Sequence, residues 1–445
     1  GGPAAPTPRA AGTVADLRRL AIDTLDANWE HDHTVPSRTL YPHQWSWDSA
    51  FIAVGLAHIR PDRAWRELHT LFAAQWADGR VPHIVFNPGL RVGSYFPGPE
   101  FWDSAVADGA PAAATSGLIQ PPVHAAAAWL VHRRAPSEAS VQALRRLYPR
   151  LVAQQRYFTG RRDLGGGGLA CIVHPWESGL DNSPAWDTPM AAVPADAAVM
   201  RAYRRHDTAH ADAAHRPTDL DYARYIAIVA SYREQRYADG RLARRHPFLV
   251  ECPLVNAALG VAEHALARIA AVVGAEPGPH RDRAARITAA LVDRLYDPVT
   301  GTFHPLDLRT GRLIPARTVL GLMPLILPDL PARQVRAVLA EACSPRFGLS
   351  ARMDRPLPSH DRTAPDFEPL RYWRGPSWMN TNWLLWRGLR AHHRPDLAAG
   401  LRESMLELVA RGGCHEYFHP DTGAGLGSPA FSWTASLLLD VLAEG

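Results

Sequence analysis

Residues 253–272, PLVNAALGVAEHALARIAAV, and residues 279–296, PHRDRAARITAALVDRLY, decide the fold between them. The first is apolar nearly all the way round, so as a helix it must be buried on most faces. The second carries Ala284, Ile287, Leu291 and Leu295 on a single stripe, the spacing of an amphipathic helix that covers a core from outside. The same two kinds recur along the chain. Thr13 and Asp16 stand at capping-box spacing ahead of Leu17, Leu20, Ala21, Thr24 and Leu25, and residues 331–343 repeat the one-stripe design. Residues 46–58, 123–132 and 431–442 read as apolar all round. The kinds alternate, amphipathic then apolar: 13–28 and 46–58, 61–77 and 120–132, 137–160 and 190–203, 279–296 and 316–326, 331–343 and 376–393, 395–411 and 430–443. An outer ring of helices around an inner one produces this order, which predicts an all-α, double-layered α/α barrel. About fourteen helical segments can be read, two more than six pairs need, and the surplus is expected within 190–240 as a cap over the barrel. Strand signals are few. LYDPVTGTFHPLDLRTGRLIP, residues 295–315, holds two Thr-Gly turns and predicts a hairpin.

The chain has 445 residues, of which 47% are apolar and 21% charged, with a net charge of +4, an ordinary globular balance. Residues 1–12, GGPAAPTPRAAG, lack an apolar core and read as a flexible tail ahead of one domain spanning 13–445. There is no lysine: all 48 basic residues are arginine. A Walker A loop and a lysine Schiff base are therefore excluded. No arginine run is long enough for a nucleic-acid footprint. The apolar run Leu320 to Leu327 is broken by Pro324 and too short to span a bilayer, so no membrane partner is expected. Cys171, Cys252, Cys343 and Cys414 show no C-x-x-C spacing and read as reduced thiols of a cytoplasmic protein.

Tryptophan, at 14 residues, outnumbers tyrosine and phenylalanine at 12 each, and flat apolar faces are what sugar rings stack against. Five connections concentrate aromatic, acidic and amide side chains. They are Tyr41-Pro-His-Gln-Trp45-Ser-Trp47-Asp48, Gln120-Pro-Pro, Trp176-Glu177-Ser-Gly-Leu-Asp181-Asn182-Ser-Pro-Ala-Trp186-Asp187, Arg371-Tyr372-Trp373-Arg374-Gly-Pro-Ser-Trp378 running on to Asn382-Trp383, and His415-Glu416-Tyr417-Phe418-His419-Pro420. Each lies before or beside an inner helix, so a barrel gathers them at one mouth. Paired carboxyls among aromatic faces suit glycosidic cleavage, in which one acid protonates the leaving oxygen and one carboxylate activates water or attacks the sugar. A single acid such as Asp48 or Asp187 is more simply explained by helix capping or an arginine partner, but that explanation leaves the accompanying tryptophans unexplained. His415 to His419 is also a literal H-E-x-x-H. A zinc hydrolase needs that motif on a helix, and Gly412-Gly413 before it and Pro420 after it argue against one. No metal and no cofactor is expected.

In these residues the sequence resembles glycoside hydrolase family 63, and within it the bacterial glucosylglycerate and mannosylglycerate hydrolases. W-x-W-D-x-x-F, W-E-S-G-x-D-N-S-P, R-Y-W-R-G-P-x-W-x-x-x-N-W and H-E-Y-F-x-P-x-T-G occur in family order from about residue 35 to the C-terminus. The resemblance implies an (α/α)6 barrel, inversion at the anomeric carbon, Asp181 as general acid and Glu416 as general base. It implies that Tyr41, Trp45 and Asp48 line the sugar subsite, with Trp176, Trp373 and Trp378 walling the same site. Arg216 and Tyr222, six residues apart, match the pair that holds the glycerate carboxylate, and Gln120 and Tyr372 match further glycerate contacts. An arginine is the natural partner of a small carboxylate, although Asp219 and Asp221 also mark this stretch as a helix start. The segment 87–99, with Arg91, Gly93 and Tyr95, departs from the family pattern, and Tyr95 is the aromatic it offers to close the site. The expectation is an inverting α-glycosidase acting on a small α-glucoside or α-mannoside, foremost glucosylglycerate or mannosylglycerate. A trehalase-like or oligosaccharide α-glucosidase is the alternative on the same fold, and a homo-oligomer is what the resemblance implies for assembly.

Overall fold

In the computed structural model, which describes residues 13–195 and 207–444, helices alternate along the chain between two concentric rings. The inner ring comprises Ser46–Leu56, His124–Arg134, Pro253–Val273, the 3-10 helix Val319–Ile326, Met379–Ala391 and Ser432–Ala443. Each packs on the next, and the last packs on the first, so the ring closes. The outer ring comprises Val14–Ala27, Pro61–Ala73, Glu138–Arg161, Gly278–Leu295, Ala332–Ala342 and Pro395–Gly412. The barrel therefore has six helix pairs, and outer and inner members alternate along the whole chain.

The burial pattern follows from the residues. Every residue of Ser46–Leu56 is buried, whereas Val14–Ala27 buries only Leu17, Ala21, Thr24 and Leu25. The outer helix begins at the expected capping box, Thr13 and Asp16 each satisfying the other's backbone N–H. Val319–Ile326 is wholly buried, contains Pro324, which supplies no backbone N–H, and is a 3-10 helix. The inner ring is pinned through Asp440. Its Oδ1 accepts from His58 Nε2 at 2.8 Å and Arg134 Nε at 3.0 Å, and its Oδ2 from Trp383 Nε1 at 2.9 Å, which joins three inner helices and the end of a fourth at one buried carboxylate. Pro253–Val273 is long and apolar enough to cross a membrane by length and composition, but it is mostly buried against its neighbours, as a core helix is.

One pairing in the sequence reading is corrected. The third inner position, next to Glu138–Arg161, belongs to Pro253–Val273 and not to residues 190–203. The described part of 190–203 holds only the end of the short helix Asp187–Ala191, and residues 196–206 lie outside the described residues. Alanine-rich composition made 190–203 look like a buried helix, but ring order is a long-range property. The tail 1–12 also lies outside the described residues. Between the third outer and inner members the chain makes Asp207–His210, the 3-10 turn Ala213–His215 and the helix Asp219–Glu234, beside the barrel mouth.

The strands are two residues long. Tyr296–Asp297 pairs with Thr302–Phe303, and Leu306–Asp307 with Arg312–Leu313, both antiparallel. The stretch 295–315 thus folds into two successive hairpins, one at each Thr-Gly turn, with Gly301 and Gly311 at φ of 70° and 69°. The second joins Cys171–Ile172 and Val250–Glu251 in a four-stranded sheet. The four cysteines are unpaired.

Candidate active site

Four of the inner helices begin at one cavity. Trp45 is the N-cap of Ser46–Leu56, Trp378 of Met379–Ala391 and Phe431 of Ser432–Ala443, and all three line it. Gln120 approaches on the segment before His124–Arg134, with its Oε1 accepting from Trp47 N at 3.0 Å. Asp48 comes from the first turn of Ser46–Leu56, and connections and the segment beside the mouth supply the rest: Tyr41, Tyr95, Trp176, Asp181, Arg216, Tyr222, Tyr372, Trp373 and Glu416. All thirteen side chains singled out in the sequence therefore face the same space. Sequence reading missed Trp47, His83 and Trp433, which also line it. Trp47 lies inside the quoted W-x-W-D motif and Trp433 in a helix read only as core. His83, in Val81-Pro-His-Ile, carries no local signal at all.

The acids of the clusters divide into two kinds. Glu177 is fully buried and forked by Arg162, at 2.7 Å from Nη1 and 2.8 Å from Nη2, and it accepts from Val173 N at 2.8 Å. Asp187 is forked by Arg374 at 2.8 and 2.7 Å. These two acids serve the architecture. Asp48, Asp181 and Glu416 face the cavity instead. Asp181 is clamped through backbone on both sides, Tyr225 Oη donating to its carbonyl at 3.0 Å and Trp186 Nε1 to that of Leu180 at 2.8 Å. Gly179 allows the chain to turn there: its φ is +76°, and a Cβ would lie 2.4 Å from the Trp47 ring. Burial pushes the Asp181 carboxyl up to about 7, with the Glu416 and Asp207 charges adding to the rise and Arg216 opposing it. Asp48 is raised well above the usual carboxylate range, chiefly by burial and then by the Glu416, Glu67 and Asp181 charges, while its own backbone N–H opposes the rise.

Glu416 sits at the head of a hairpin, Tyr417–Phe418 pairing with Gly425–Leu426. Its Oε1 accepts from Tyr41 Oη at 2.7 Å and Arg216 Nη1 at 3.2 Å; its Oε2 accepts from Ser428 N at 3.2 Å and the same Nη1 at 3.3 Å. Gly427, at φ +67°, makes room: a Cβ would stand 2.4 Å from Glu416 Oε2. The strand also answers the zinc question. His415 and His419 are not on a helix, and His419 Nδ1 accepts from Asp421 N and Thr422 N at 3.1 and 3.2 Å. The helical geometry an H-E-x-x-H metal site needs is absent here.

The walls are aromatic. Trp373 and Trp378 stack at 3.8 Å and 5°, and Trp378 continues onto Tyr417 at 4.7 Å. Trp45 meets Tyr41 and Tyr95 edge-on at 5.2 and 5.1 Å, which places the departing segment 87–99 at the site through Tyr95. Tyr372 has φ +40°, a costly conformation for a bulky residue. Its carbonyl accepts from Trp378 Nε1 at 2.9 Å, and its ring lies 4.3 Å from the Arg216 guanidinium carbon. Arg216 is buried and also donates to Asp207 Oδ2 at 3.2 Å and Tyr41 Oη at 2.5 Å. Tyr222 lies in the first turn of Asp219–Glu234, behind a Thr218–Asp221 capping box. The helix start and the cavity lining are thus the same stretch. His83 is driven down to about 3 by burial and is neutral, bonded through Nδ1 to Ser116 Oγ.

A deep pocket with a protonatable acid, a second carboxylate, stacked indoles and one buried arginine is the chemistry of a glycosidase for a small acidic glycoside. Known proteins agree. The model of the mannosylglycerate hydrolase MGH1-like glycoside hydrolase domain matches residues 41–434. The mannosylglycerate hydrolase of Rubrobacter radiotolerans is 42% identical over 436 residues, 97% of this chain and 98% of the relative. The glucosylglycerate hydrolase of Mycolicibacterium hassiacum is 37% identical over 447 residues, again 97% and 98%. The crystal structure of the family 63 mannosylglycerate hydrolase from Thermus thermophilus in complex with Tris and D-glycerate superposes with a TM-score of 0.87 at 38% identity, covering 95% of this chain and 99% of that one. With the fold, the pocket and near-full-length similarity in accord, the chain belongs to the mannosylglycerate hydrolase MGH1-like family of glycoside hydrolases.

Proposed function

We propose that this enzyme hydrolyses the α-glycosidic bond joining glucose or mannose to glycerate, with inversion. Asp181, protonated near neutrality, gives its proton to the leaving glycerate oxygen. Glu416 takes a proton from the water that attacks the anomeric carbon from the opposite face. Inversion requires room for that water, so the two carboxyls are expected roughly 6.5–9.5 Å apart in the productive complex. Tyr41, Trp45 and Asp48 hold the sugar, Trp176, Trp373 and Trp378 wall it, and Tyr95 closes over it. Arg216, with Gln120, Tyr222 and Tyr372, takes the glycerate carboxylate. The observation that carries this reading is Arg216, the one arginine among the described residues lining the cavity, buried in the same space as both carboxyls. A neutral disaccharide has no charge to match it.

The test is sugar release from glucosylglycerate, mannosylglycerate, trehalose and maltose, in the presence of EDTA. Release from the glycerate glycosides alone, with the β-anomer appearing first by NMR, is expected. Release from trehalose or maltose would move the acceptor, and inhibition by EDTA would overturn the metal-independent mechanism.

A further inference from the structure

A carboxylate offers about four lone-pair sites to donors. In Glu416 all four are taken: Tyr41 Oη and Arg216 Nη1 on Oε1, Ser428 N and the same Nη1 on Oε2. A general base accepts a proton from water through a lone pair, so the site as it stands holds the base occupied. Three donor groups share it, and they differ in how they can leave. Ser428 is fixed by the hairpin, since its carbonyl also accepts from Glu416 N at 2.8 Å. Tyr41 is a neutral hydroxyl held by burial among aromatic rings. Arg216 is a cation on the segment beside the mouth, just ahead of the Thr218 cap, with Asp207, Tyr41, Tyr417 and the face of Tyr372 among its other contacts. A second carboxylate entering the cavity competes directly for that guanidinium.

We propose that Arg216 is a carboxylate-operated latch on Glu416. Without an acidic acceptor the guanidinium occupies the base. The acceptor's carboxylate draws it off, and a lone pair of Glu416 opens to the attacking water. This inference rests on the reading of Glu416 as the base and of the substrate as a carboxylated glycoside. It adds that specificity is exerted on turnover as well as on binding, because a neutral glycoside fills the sugar subsite and leaves the latch shut.

α-Glucosyl fluoride and α-mannosyl fluoride separate the two effects. They occupy the sugar subsite, carry no acceptor, and release a good leaving group, so their hydrolysis reports on the base. The wild-type enzyme is expected to hydrolyse them slowly. Free D-glycerate should raise kcat about tenfold, the scale of one charge-assisted hydrogen bond, with KM little changed, while glycerol should not. Arg216→Gln should show the raised fluoride rate without glycerate and no further stimulation, together with a higher KM for the glycerate glycoside. If Arg216→Gln does not fold, the wild-type glycerate titration decides alone. Glycerate that only inhibits fluoride hydrolysis, or leaves it unchanged, while the glycerate glycoside is still cleaved, overturns the latch and spares the proposed function. Failure to cleave any glycerate glycoside overturns the function itself.

Discussion

Two acids four residues apart, Glu177 and Asp181, have opposite fates because of what surrounds each. Glu177 is closed off by the Arg162 fork with neither side chain exposed, and removing it leaves that buried cation only Asp239, a carboxylate it shares with Arg80. Glu177→Ala should cost roughly 3–5 kcal/mol of stability, read by chemical denaturation. Asp181 has no such fork, and its environment acts on its proton. Asp181→Asn and Glu416→Gln should each lower kcat by roughly 10²–10⁴-fold, Asp181→Asn with an unchanged melting temperature. The raised Asp181 carboxyl also sets a pH limit. As an acid it works only while protonated, so kcat/KM should fall above pH about 7, tenfold per unit, and the limb should vanish in Asp181→Asn. A flat profile to pH 9 would remove Asp181 from the role. Spacing alone does not tell Glu177 from Asp181. The family resemblance singled out Asp181, which lines the cavity, and the arginine that claims Glu177 lies fifteen residues upstream, at Arg162, where no local pattern points to it.

At the scale of elements, the outer helix Pro61–Ala73 carries a carboxylate on its buried side. Glu67 accepts from Thr34 N at 2.7 Å, Thr34 Oγ1 at 2.8 Å and Ser49 Oγ at 2.7 Å, tying the 34–45 connection and the start of Ser46–Leu56 to that helix. Burial pushes it up to about 8, with those bonds opposing. The folded state therefore holds its proton more tightly than the unfolded chain. The stability this contributes is complete below pH about 4.5 and is lost as pH rises toward 8, at a slope approaching about 1.4 kcal/mol per unit. Glu67→Gln should flatten the decline in melting temperature between pH about 5 and 8. Equal slopes in the two proteins would show that Glu67 does not titrate in this window. The helix itself was legible from its periodicity. The buried glutamate was not, since one acid beside Ala64, Leu68 and Leu71 reads as an ordinary boundary position. The same limit produced the misplaced third inner helix: composition identifies a segment that must be buried, but not which ring vacancy it fills.

The whole molecule depends on its first and last inner helices meeting. Gly55 N donates to Ser436 Oγ at 2.9 Å, and Ser436 Oγ returns to Phe51 O and Ile52 O at 2.7 and 2.8 Å. A Cβ on Gly55 would stand 2.2 Å from the Ser436 carbonyl oxygen. Gly55→Val should therefore wedge the seam and cost about 1–3 kcal/mol or more, seen as a lowered melting temperature. Retained stability would mean that the seam yields without strain.

By itself the sequence determined the helical content, the two kinds of helix and hence a double-ringed barrel, because burial of a helix face is written in a period of 3.6 residues. It also determined most of the residues gathered at the mouth, though not His83, because aromatic and acidic side chains cluster before apolar helices and the motifs stand in family order. Only the tertiary structure decided which acids are neutralised by distant arginines, which segment completes the inner ring, and that Arg216 rests on Glu416 across 200 positions of chain. Pair partners of buried charges are chosen by proximity in space, where a few ångströms outweigh any local pattern, and sequence spacing carries no record of them.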